Sequence, residues 1–302
     1  MQLVSYRTQG DPEGVWRAGV EQNGRIVDIT TFWHDGAHET TTVRHLLAAG
    51  PAAMQRVLEQ AHRLFDTNAA DAQGGLQVTS VELGPPVPDP DKIICIGVNY
   101  AEHAAEAGVA QTRVPVLFAK FRNSLIGPSS PILLPRVSRE IDYEGELAVV
   151  IGRRCKEVVV RDALDYVAGY SVVNDVSARD LQMQTSQWVA GKALDTFAPM
   201  GPGIVPASEI PDPQTLQLRT RVNGTTLQDA NTAQMIFPVA ELIAFISSIM
   251  TLEPGDIIAT GTPSGVGFKR TPPVYLKAGD TVEVEIERVG RIRNPVLGPV
   301  NT

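Results

Sequence analysis

Apolar and polar residues alternate along much of this chain, which is the period of β-strands that bury one face. Two alternating stretches within residues 15–30 meet at Asn23-Gly24, and two more within residues 215–228 meet at Asn223-Gly224. The Asn-Gly dipeptide favours the type I′ turn, so each pair predicts a hairpin. Further strands are predicted in the stretches IICIGVNY, PVLFAKF, ELAVVIG, YVAGYSVVNDV, DIIATGTP and DTVEVEIERVGRIRNPV.

Helical spacing of apolar residues is confined to a few segments. Residues 41–65 predict two short helices separated near Gly50-Pro51, residues 99–108 predict one that ends at Gly108, and residues 238–250 predict an amphipathic one. The loop-rich segment 66–91 includes the stiff stretch PPVPDPDK and places a boundary near residue 85. We expect a small α+β unit, residues 1–85, and a larger unit, residues 86–302, in a fold that is α+β and predominantly β rather than a doubly wound sheet.

Residues 140–152, EIDYEGELAVVIG, begin with acids at alternate positions and continue as an apolar strand. In an extended strand Asp142, Glu144 and Glu146 would share one face. Neighbouring like charges at the start of a buried strand need a counter-charge or hydrogen bonds. The alternative is an edge strand with a solvated acidic face, against which the apolar continuation argues.

A further acid, Asp175, follows the next apolar strand in VVNDVSARD. Two or three carboxylates with water are the ligands of hard divalent cations such as Mg²⁺ or Mn²⁺, and no Cys or His cluster points to zinc. By itself Asp175 would more often be a helix cap or a turn residue. Together with the acidic strand it predicts magnesium or manganese chemistry.

His103 is the only histidine in the larger unit and stands three residues before Glu106, so on a helical turn both side chains face the same way. Such a pair can act as a general base on water, the alternative being an exposed polar pair on a surface helix. Lys120 in LFAKF and Lys192 in VAGKALDTF have apolar neighbours. A lysine in such surroundings either extends to the surface or pairs with an anion.

The stretch ATGTPSGVG, residues 259–267, combines glycines with the hydroxyl of Thr262. Glycines let main-chain amides approach a ligand closely. The stretch matches neither a P-loop nor a dinucleotide fingerprint. It is therefore a candidate cradle for a substrate carboxylate.

Composition restricts the partners. The formal net charge is -8 without a run of Lys and Arg, so nothing supports a nucleic acid or an anionic membrane as partner. Two cysteines in 302 residues do not suggest a disulfide framework, and no apolar stretch is long enough to cross a bilayer. Because the start of the chain also lacks a signal pattern, we expect a cytoplasmic protein.

Five stretches, IGVNYAEHAAEAG, DYEGELAVVIG, VVNDVSARDLQ, GKALDTFAPMGP and GDIIATGTPSGVG, occur in an order that resembles the fumarylacetoacetate hydrolase family over roughly residues 90–297. The resemblance implies a mixed β-roll with a metal site in its open mouth, a small N-terminal domain as in bacterial members, and a homodimer. It implies metal ligands at Glu144, Glu146 and Asp175, usually for Mg²⁺ or Mn²⁺, and leaves Asp142 outside that set.

The resemblance also assigns roles to side chains around the metal. The family's catalytic histidine and glutamate match His103 and Glu106, and its active-site lysine matches Lys192. The residues expected to contact substrate are Lys120, Arg179, Gln182 and Thr262. The substrate's tail would be selected by pocket residues such as Gln184, Trp188 or Phe197.

The expected reaction is hydrolysis of a C–C bond in a 2,4-diketo acid, such as an acylpyruvate or fumarylpyruvate, to a carboxylic acid and pyruvate through an enolate that the cation and Lys192 stabilise. His103, oriented by Glu106, would activate water for attack on the C4 carbonyl. The same site could instead decarboxylate oxaloacetate or isomerise a 2-hydroxymuconate-type dioate. A metal-dependent keto-acid binding protein is the alternative outside enzymes, and the intact set of His103, Glu106 and Lys192 argues against it.

Overall fold

The computed structural model describes residues 1–11, 15–34, 36, 41–67, 75–108 and 110–299. Its strands are β1 (Gln2–Arg7), β2 (Arg17–Gln22), β3 (Arg25–Asp28), β4 (Leu76–Gln77), β5 (Glu82–Leu83), β6 (Ile93–Gly97), β7 (Val116–Lys120), β8 (Leu125–Ile126), β9 (Ile132–Leu133), β10 (Ile141–Asp142), β11 (Gly145–Ile151), β12 (Val167–Asn174), β13 (Ser177–Ala178), β14 (Ala198–Pro206), β15 (Gln217–Val222), β16 (Thr225–Asn231), β17 (Ile257–Ala259), β18 (Thr281–Ile286) and β19 (Gly290–Leu297). Its α-helices are α1 (Val43–Ala48), α2 (Pro51–Asp66), α3 (Ala101–Ala107), α4 (Arg179–Gln182), α5 (Val189–Lys192) and α6 (Val239–Ile249).

Both predicted hairpins are confirmed. Strands β2 and β3 pair antiparallel across Asn23-Gly24, and β15 and β16 pair across Asn223-Gly224. The two asparagines have φ angles of 53° and 51° and the two glycines 81° and 82°, as a type I′ turn requires. The break between α1 and α2 and the end of α3 at Gly108 also lie where the sequence predicts them.

The large sheet runs through both predicted units in the order β4-β3-β2-β1-β14-β12-β11-β17-β6-β7. Strand β1 of the N-terminal unit pairs with β14 of the larger unit and so joins the two units, with Leu3 opposite Ile204. The boundary at residue 85 stays a prediction, but the hydrogen-bonded sheet does cross it. Strand β14 was not expected, because its sequence APMGPGIVP is rich in the residues that favour turns.

A second sheet, β16-β15-β18-β19-β9, packs against the first. Strand β11 lies between two cores and all of its residues are buried. Leu147 and Val149 face a core that includes Leu218 and α6, while Ala148 and Val150 face a core that includes α1 and α2. This is the α+β, predominantly β architecture that the sequence predicts, and it carries the start of β11 into the interior.

Within the described residues, the model contains no helix with both the length and the apolar character that a membrane span requires.

Candidate metal centre and active site

Three acids from two neighbouring strands meet in the interior. Glu144 and Glu146 stand at the start of β11, and Asp175 follows the end of β12, whose Asn174 pairs with Gly145. The main-chain N–H of Asp175 donates to the carbonyl of Glu144 at 2.8 Å. Carboxylate oxygens of the three acids lie within 4.8 Å of one another, and all three side chains are buried. We call Glu144, Glu146 and Asp175 the carboxylate cluster.

Basic side chains surround two members of the cluster, Glu144 and Asp175, and provide the counter-charge that the buried acids need. Lys192 places Nζ 2.6 Å from Oε2 of Glu144 and 2.7 Å from Oδ2 of Asp175. Arg179 places Nη2 2.6 Å from Oε1 of Glu144. Burial alone would raise the pKa of Glu144, but Arg179 and Lys192 outweigh it and hold that pKa well below its usual range. Burial lowers the pKa of Lys192, and the charges of Asp175 and Glu144 reverse the direction and raise it.

Glu146 has different surroundings. Its Oε2 accepts the main-chain N–H of Gly261 at 2.8 Å, and no basic side chain of the described residues lies within ion-pair distance of it. Burial, followed by the charges of Asp175 and Glu144, raises the pKa of Glu146 well above its ordinary value. A buried carboxylate without a cation, next to two more oxygen donors, is a donor set that suits a hard divalent ion. The residues present therefore fit the predicted metal.

Lys120 lies behind the cluster. Its Nζ is 2.8 Å from Oδ1 of Asp175 and donates to the carbonyl oxygens of Val176, Phe197 and Lys192. Burial lowers its pKa. Lys120 is not among the residues that line the cavity, and its ammonium contacts Asp175 and three main-chain carbonyls, so the geometry gives no support to a substrate contact. These contacts hold Asp175 and the segment that carries Lys192.

Asp142 organises Arg179 rather than joining the cluster. Its Oδ2 accepts Nε and Nη2 of Arg179 at 2.9 and 2.8 Å, and its two oxygens also accept the main-chain N–H groups of Tyr143, Gly267 and Phe268. The ring of Phe268 lies 4.3 Å from the Arg179 guanidinium carbon. Sequence alternation placed Asp142 on the acidic face but did not show that it accepts these main-chain amides.

His103 and Glu106 lie on α3 at the cavity. Nδ1 of His103 is 3.3 Å from Oε2 of Glu106, and Glu106 accepts the main-chain N–H of Gly265 at 3.0 Å. Burial raises the pKa of Glu106, but the contacts from His103 and Gly265 outweigh it and lower the pKa overall. The helix begins after Asn99, which is fully buried and bonded through its amide to the main chain of Thr260 and Phe237.

The glycine-rich loop, residues 261–268, binds carboxylates of the protein itself. Main-chain N–H groups of Gly261, Gly265 and Gly267 donate to Glu146, Glu106 and Asp142 respectively. The expectation that these amides cradle a substrate carboxylate is corrected, because their donors point at side chains of the site.

Thr262, in the same loop, lines the cavity, but its hydroxyl is engaged inward. It donates to the carbonyl of Gly145 at 3.0 Å and accepts from Nε2 of Gln228 at 2.7 Å. Gln228 also accepts the N–H of Gly145 and donates to Pro263. It ties the glycine-rich loop to β11, a role that the sequence did not reveal.

These elements enclose a small cavity of about 70 Å³. The polar side of its wall consists of His103, Glu144, Glu146, Arg179, Gln182, Lys192 and Thr262, and the apolar side of Ile96, Val98, Phe118, Met183, Trp188 and Phe268, with Gly97 and Ala107 between them. Of the residues expected to select the substrate's tail, Trp188 lines the cavity, Gln184 is exposed, and Phe197 is fully buried in a separate core cluster. Phe118 and Met183 were missed, since no sequence motif marks them.

The sequence model for the fumarylacetoacetate hydrolase C-terminal domain matches residues 92–297. The chain belongs to the fumarylacetoacetate hydrolase family. The family resemblance is thereby confirmed, and members of this family are enzymes. The match to solved structures of the family confirms the predicted β-roll.

Three members of the family resemble this chain over almost its whole length. An oxaloacetate tautomerase of Rattus norvegicus, named as mitochondrial, is 50% identical over 303 residues, which cover 98% of this chain and 92% of the relative. The solved structure of the fumarylacetoacetate hydrolase from psychrophilic Exiguobacterium antarcticum matches with a TM-score of 0.81 and 36% identity, covering 99% of both chains. A maleylpyruvate hydrolase from Sphingobium sp. SYK-6, solved in complex with manganese(II) ion and pyruvate, matches with a TM-score of 0.75 and 34% identity over 99% of this chain and all of that chain.

Proposed function

We propose that this protein is a divalent-metal-dependent enzyme that interconverts the keto and enol forms of oxaloacetate. The observation that carries the proposal is the 50% identity to an oxaloacetate tautomerase over 98% of the chain, combined with a cavity lined by His103, Lys192 and two members of the carboxylate cluster, Glu144 and Glu146. The cavity volume of about 70 Å³ lies well below the several hundred Å³ of sites for drug-sized ligands. It therefore favours a small acid.

Glu144, Glu146 and Asp175 would hold the cation, Mg²⁺ or Mn²⁺. When bound, the ion supplies a Lewis acid that draws negative charge onto the 2-oxo oxygen of the substrate. Arg179 and Lys192 add positive charge to the same wall and would bind the substrate's carboxylate and the developing enolate. Asp142 keeps Arg179 in place for this contact.

His103 would move the proton. Its Nδ1 faces Glu106, so Nε2 is the nitrogen left to take the proton from C3 of the keto form. As that C–H bond breaks, the C2–C3 double bond forms and the negative charge reaches the 2-oxo oxygen, which takes up the proton that Nε2 of His103 has accepted and gives the enol. The reverse order of steps returns the keto form, so no other atom is gained or lost.

Hydrolysis of an acylpyruvate, expected first from the sequence, is the second candidate. Two observations favour it: the 34% identity to a maleylpyruvate hydrolase solved with pyruvate, and the apolar part of the cavity wall, which would suit an acyl tail. In this reaction His103 would take its proton from water that attacks C4, and the C3–C4 bond would break. It ranks second because the tautomerase shares more identity over the same length.

The proposal is tested with freshly dissolved enol-oxaloacetate. We expect the protein to accelerate the loss of enol absorbance with Mn²⁺ or Mg²⁺ and to lose this activity in excess EDTA. Total oxaloacetate, measured by reduction to malate, should stay constant while the enol disappears. Release of CO₂ and pyruvate at the same rate would instead identify a decarboxylase.

Matched variants connect the rate to the site. His103→Ala should lower the rate by about 100-fold or more, as loss of a general base does, whereas His62→Ala, an exposed histidine on α2, should leave it unchanged. Turnover of acetylpyruvate but not of oxaloacetate would replace the proposal by the hydrolase. Metal-dependent binding of both acids without turnover of either would indicate a keto-acid binding protein.

A further inference from the structure

Two side chains outside the cavity wall hold one carbonyl of the glycine-rich loop. The hydroxyl of Tyr143 donates to the carbonyl oxygen of Gly265 at 3.0 Å. Arg270 approaches the same oxygen with Nε at 3.3 Å and Nη2 at 3.2 Å. Nη2 of Arg270 also donates to the carbonyl of Leu227 at 2.5 Å, which ties the group to the β15–β16 hairpin. The carbonyl of Gly265 is therefore held from two directions.

Gly265 also holds Glu106, through its own main-chain N–H. That N–H lies 3.0 and 3.2 Å from the two carboxylate oxygens of Glu106, which in turn contacts His103. Gly265 has a φ of +101°, and a Cβ there would lie 2.1 Å from the carbonyl oxygen of Leu227. Only glycine fits this conformation and this close approach. The N–H and the C=O of Gly265 lie in neighbouring peptide planes that share its Cα, so the groups that hold the carbonyl restrain the main chain from which the N–H reaches Glu106.

Helix α3 has few other side-chain ties to the glycine-rich loop. The only further side-chain hydrogen bond found between them in the described residues joins Ser264 to Glu102 at 3.2 Å, at an exposed position. Exposed hydrogen bonds of this kind add little stability. The contact between Gly265 and Glu106 is therefore the partly buried attachment of the helix at this loop.

We propose that Tyr143 and Arg270 are positioning residues that act on His103 through Gly265 and Glu106. Tyr143 fixes the carbonyl of Gly265 from the interior, and Arg270 fixes it from the hairpin. Their loss frees the main chain at Gly265, loosens its N–H contact with Glu106 and lets His103 leave the geometry in which it transfers a proton. The assignment of proton transfer to His103 rests on the proposed function, but the placement of α3 does not.

The placement is measured without substrate, by hydrogen–deuterium exchange of the amides in residues 101–108. Tyr143→Phe keeps the ring in its core cluster and removes only the hydroxyl. Arg270→Lys keeps the positive charge and removes the planar guanidinium group that reaches the carbonyls of Gly265 and Leu227. We expect exchange in this segment to become about 5- to 10-fold faster, the change that corresponds to losing one net hydrogen bond.

Matched controls lie elsewhere in the chain. Tyr6→Phe removes a hydroxyl that donates to Asp28 in the N-terminal hairpin. Arg221→Lys removes a guanidinium group that donates to Glu283 and Glu285. Neither should change exchange in residues 101–108. Unchanged exchange in both Tyr143→Phe and Arg270→Lys would overturn the proposal.

The action through Glu106 is measured by a double-mutant cycle on enol-oxaloacetate turnover. Tyr143→Phe should lower kcat about 10- to 100-fold with little effect on KM, because it disturbs the transition state more than substrate binding. In the Glu106→Ala background, measured in single turnover, the same change should cost less than about 2-fold. Equal losses in both backgrounds would show a merely structural role and refute the proposal. A wild-type protein inactive on oxaloacetate would refute the proposed function alone, since the exchange experiment still decides whether α3 is positioned in this way.

Discussion

Glu144 and Glu146 lie two residues apart on one strand, yet their surroundings shift their pKa values in opposite directions. Glu144 contacts Arg179 and Lys192, whereas Glu146 has a single main-chain donor and two acidic neighbours. Lys192 and Arg179 contact Glu144, and Lys120 and Lys192 contact Asp175, whereas no basic side chain of the described residues lies within ion-pair distance of Glu146. A divalent ion bound to the cluster would supply the positive charge that favours the ionised form of Glu146.

We predict that Glu146→Gln stabilises the metal-free protein and weakens the metal complex. At pH 7.5 in EDTA the free energy of unfolding should rise by about 1 to 3 kcal/mol, because a buried carboxyl without a cation is removed. The affinity for Mn²⁺ should fall by more than about 100-fold, since a ligand is lost. Urea unfolding and titration calorimetry measure the two effects.

The sign of the pH dependence follows from the raised pKa of Glu146. In the metal-free fold its carboxyl keeps its proton to a higher pH than in the unfolded chain, so its contribution to stability falls as pH rises above the ordinary value of 4.5. The gain from Glu146→Gln should therefore shrink as pH falls toward 4.5. A metal-free variant less stable than the wild type at pH 7.5 would contradict the surroundings described for this residue.

Among the elements, the glycine-rich loop and strand β11 together arrange the site. The loop donates main-chain N–H groups to Glu146, Glu106 and Asp142, which belong to three different segments. The second sheet approaches strand β11 closely at Gly145, the residue between Glu144 and Glu146. The two elements contact each other through Thr262 and Gln228.

We predict that Gly145→Ala perturbs the metal centre through packing alone. A Cβ at this position would lie 2.2 Å from Oγ1 of Thr220 and 2.9 Å from Cγ1 of Val284, so strand β11 or the second sheet has to shift. The expected loss of stability is about 1 to 3 kcal/mol, as in overpacked cores, together with weaker Mn²⁺ binding because Glu144 and Glu146 flank the site of the change. Gly10→Ala, where a Cβ would meet nothing within 4 Å, is the matched control. Wild-type stability of Gly145→Ala in urea unfolding would contradict this packing.

At the scale of the whole molecule, the N-terminal unit and the catalytic unit share a sheet and a core. Leu3 pairs across the junction with Ile204, and the core on one side of β11 combines Leu46 and Val57 of the N-terminal helices with Val150. Removing the small unit would expose this apolar surface and the edge of β14. The two units therefore depend on each other for burial.

We predict that residues 86–302 alone do not form a stable, soluble protein. The fragment should aggregate or lack a cooperative unfolding transition, and co-expression with residues 1–85 should restore a soluble complex. Size-exclusion chromatography and far-UV circular dichroism measure both outcomes. A soluble fragment that unfolds cooperatively and binds Mn²⁺ would show that the predicted boundary near residue 85 also separates independent folding units.

Local signals account for the parts that the sequence predicted well. Asn23-Gly24 and Asn223-Gly224 determine their turns by backbone preference, and Gly50-Pro51 and Gly108 end helices for the same reason. The acidic strand stood out because buried like charges need compensation, and the resemblance to the family added Asp175 to Glu144 and Glu146. The strand β14 was missed, since its partners in the sheet, rather than its Gly- and Pro-rich sequence, make it extended.

The sequence by itself determined the hairpins and the predominantly β character, because these follow from residue type and short-range spacing. Its resemblance to the family singled out the acids, the lysine and the histidine to which the proposed chemistry is assigned. The tertiary structure decided what each group contacts: that Glu146 pairs with no basic side chain of the described residues, that Lys120 contacts Asp175, and that the glycine-rich loop binds Glu106 and Asp142 rather than a ligand. The contacts of the glycine-rich loop join residues more than 100 positions apart. They depend on how two sheets pack, and no local pattern records them.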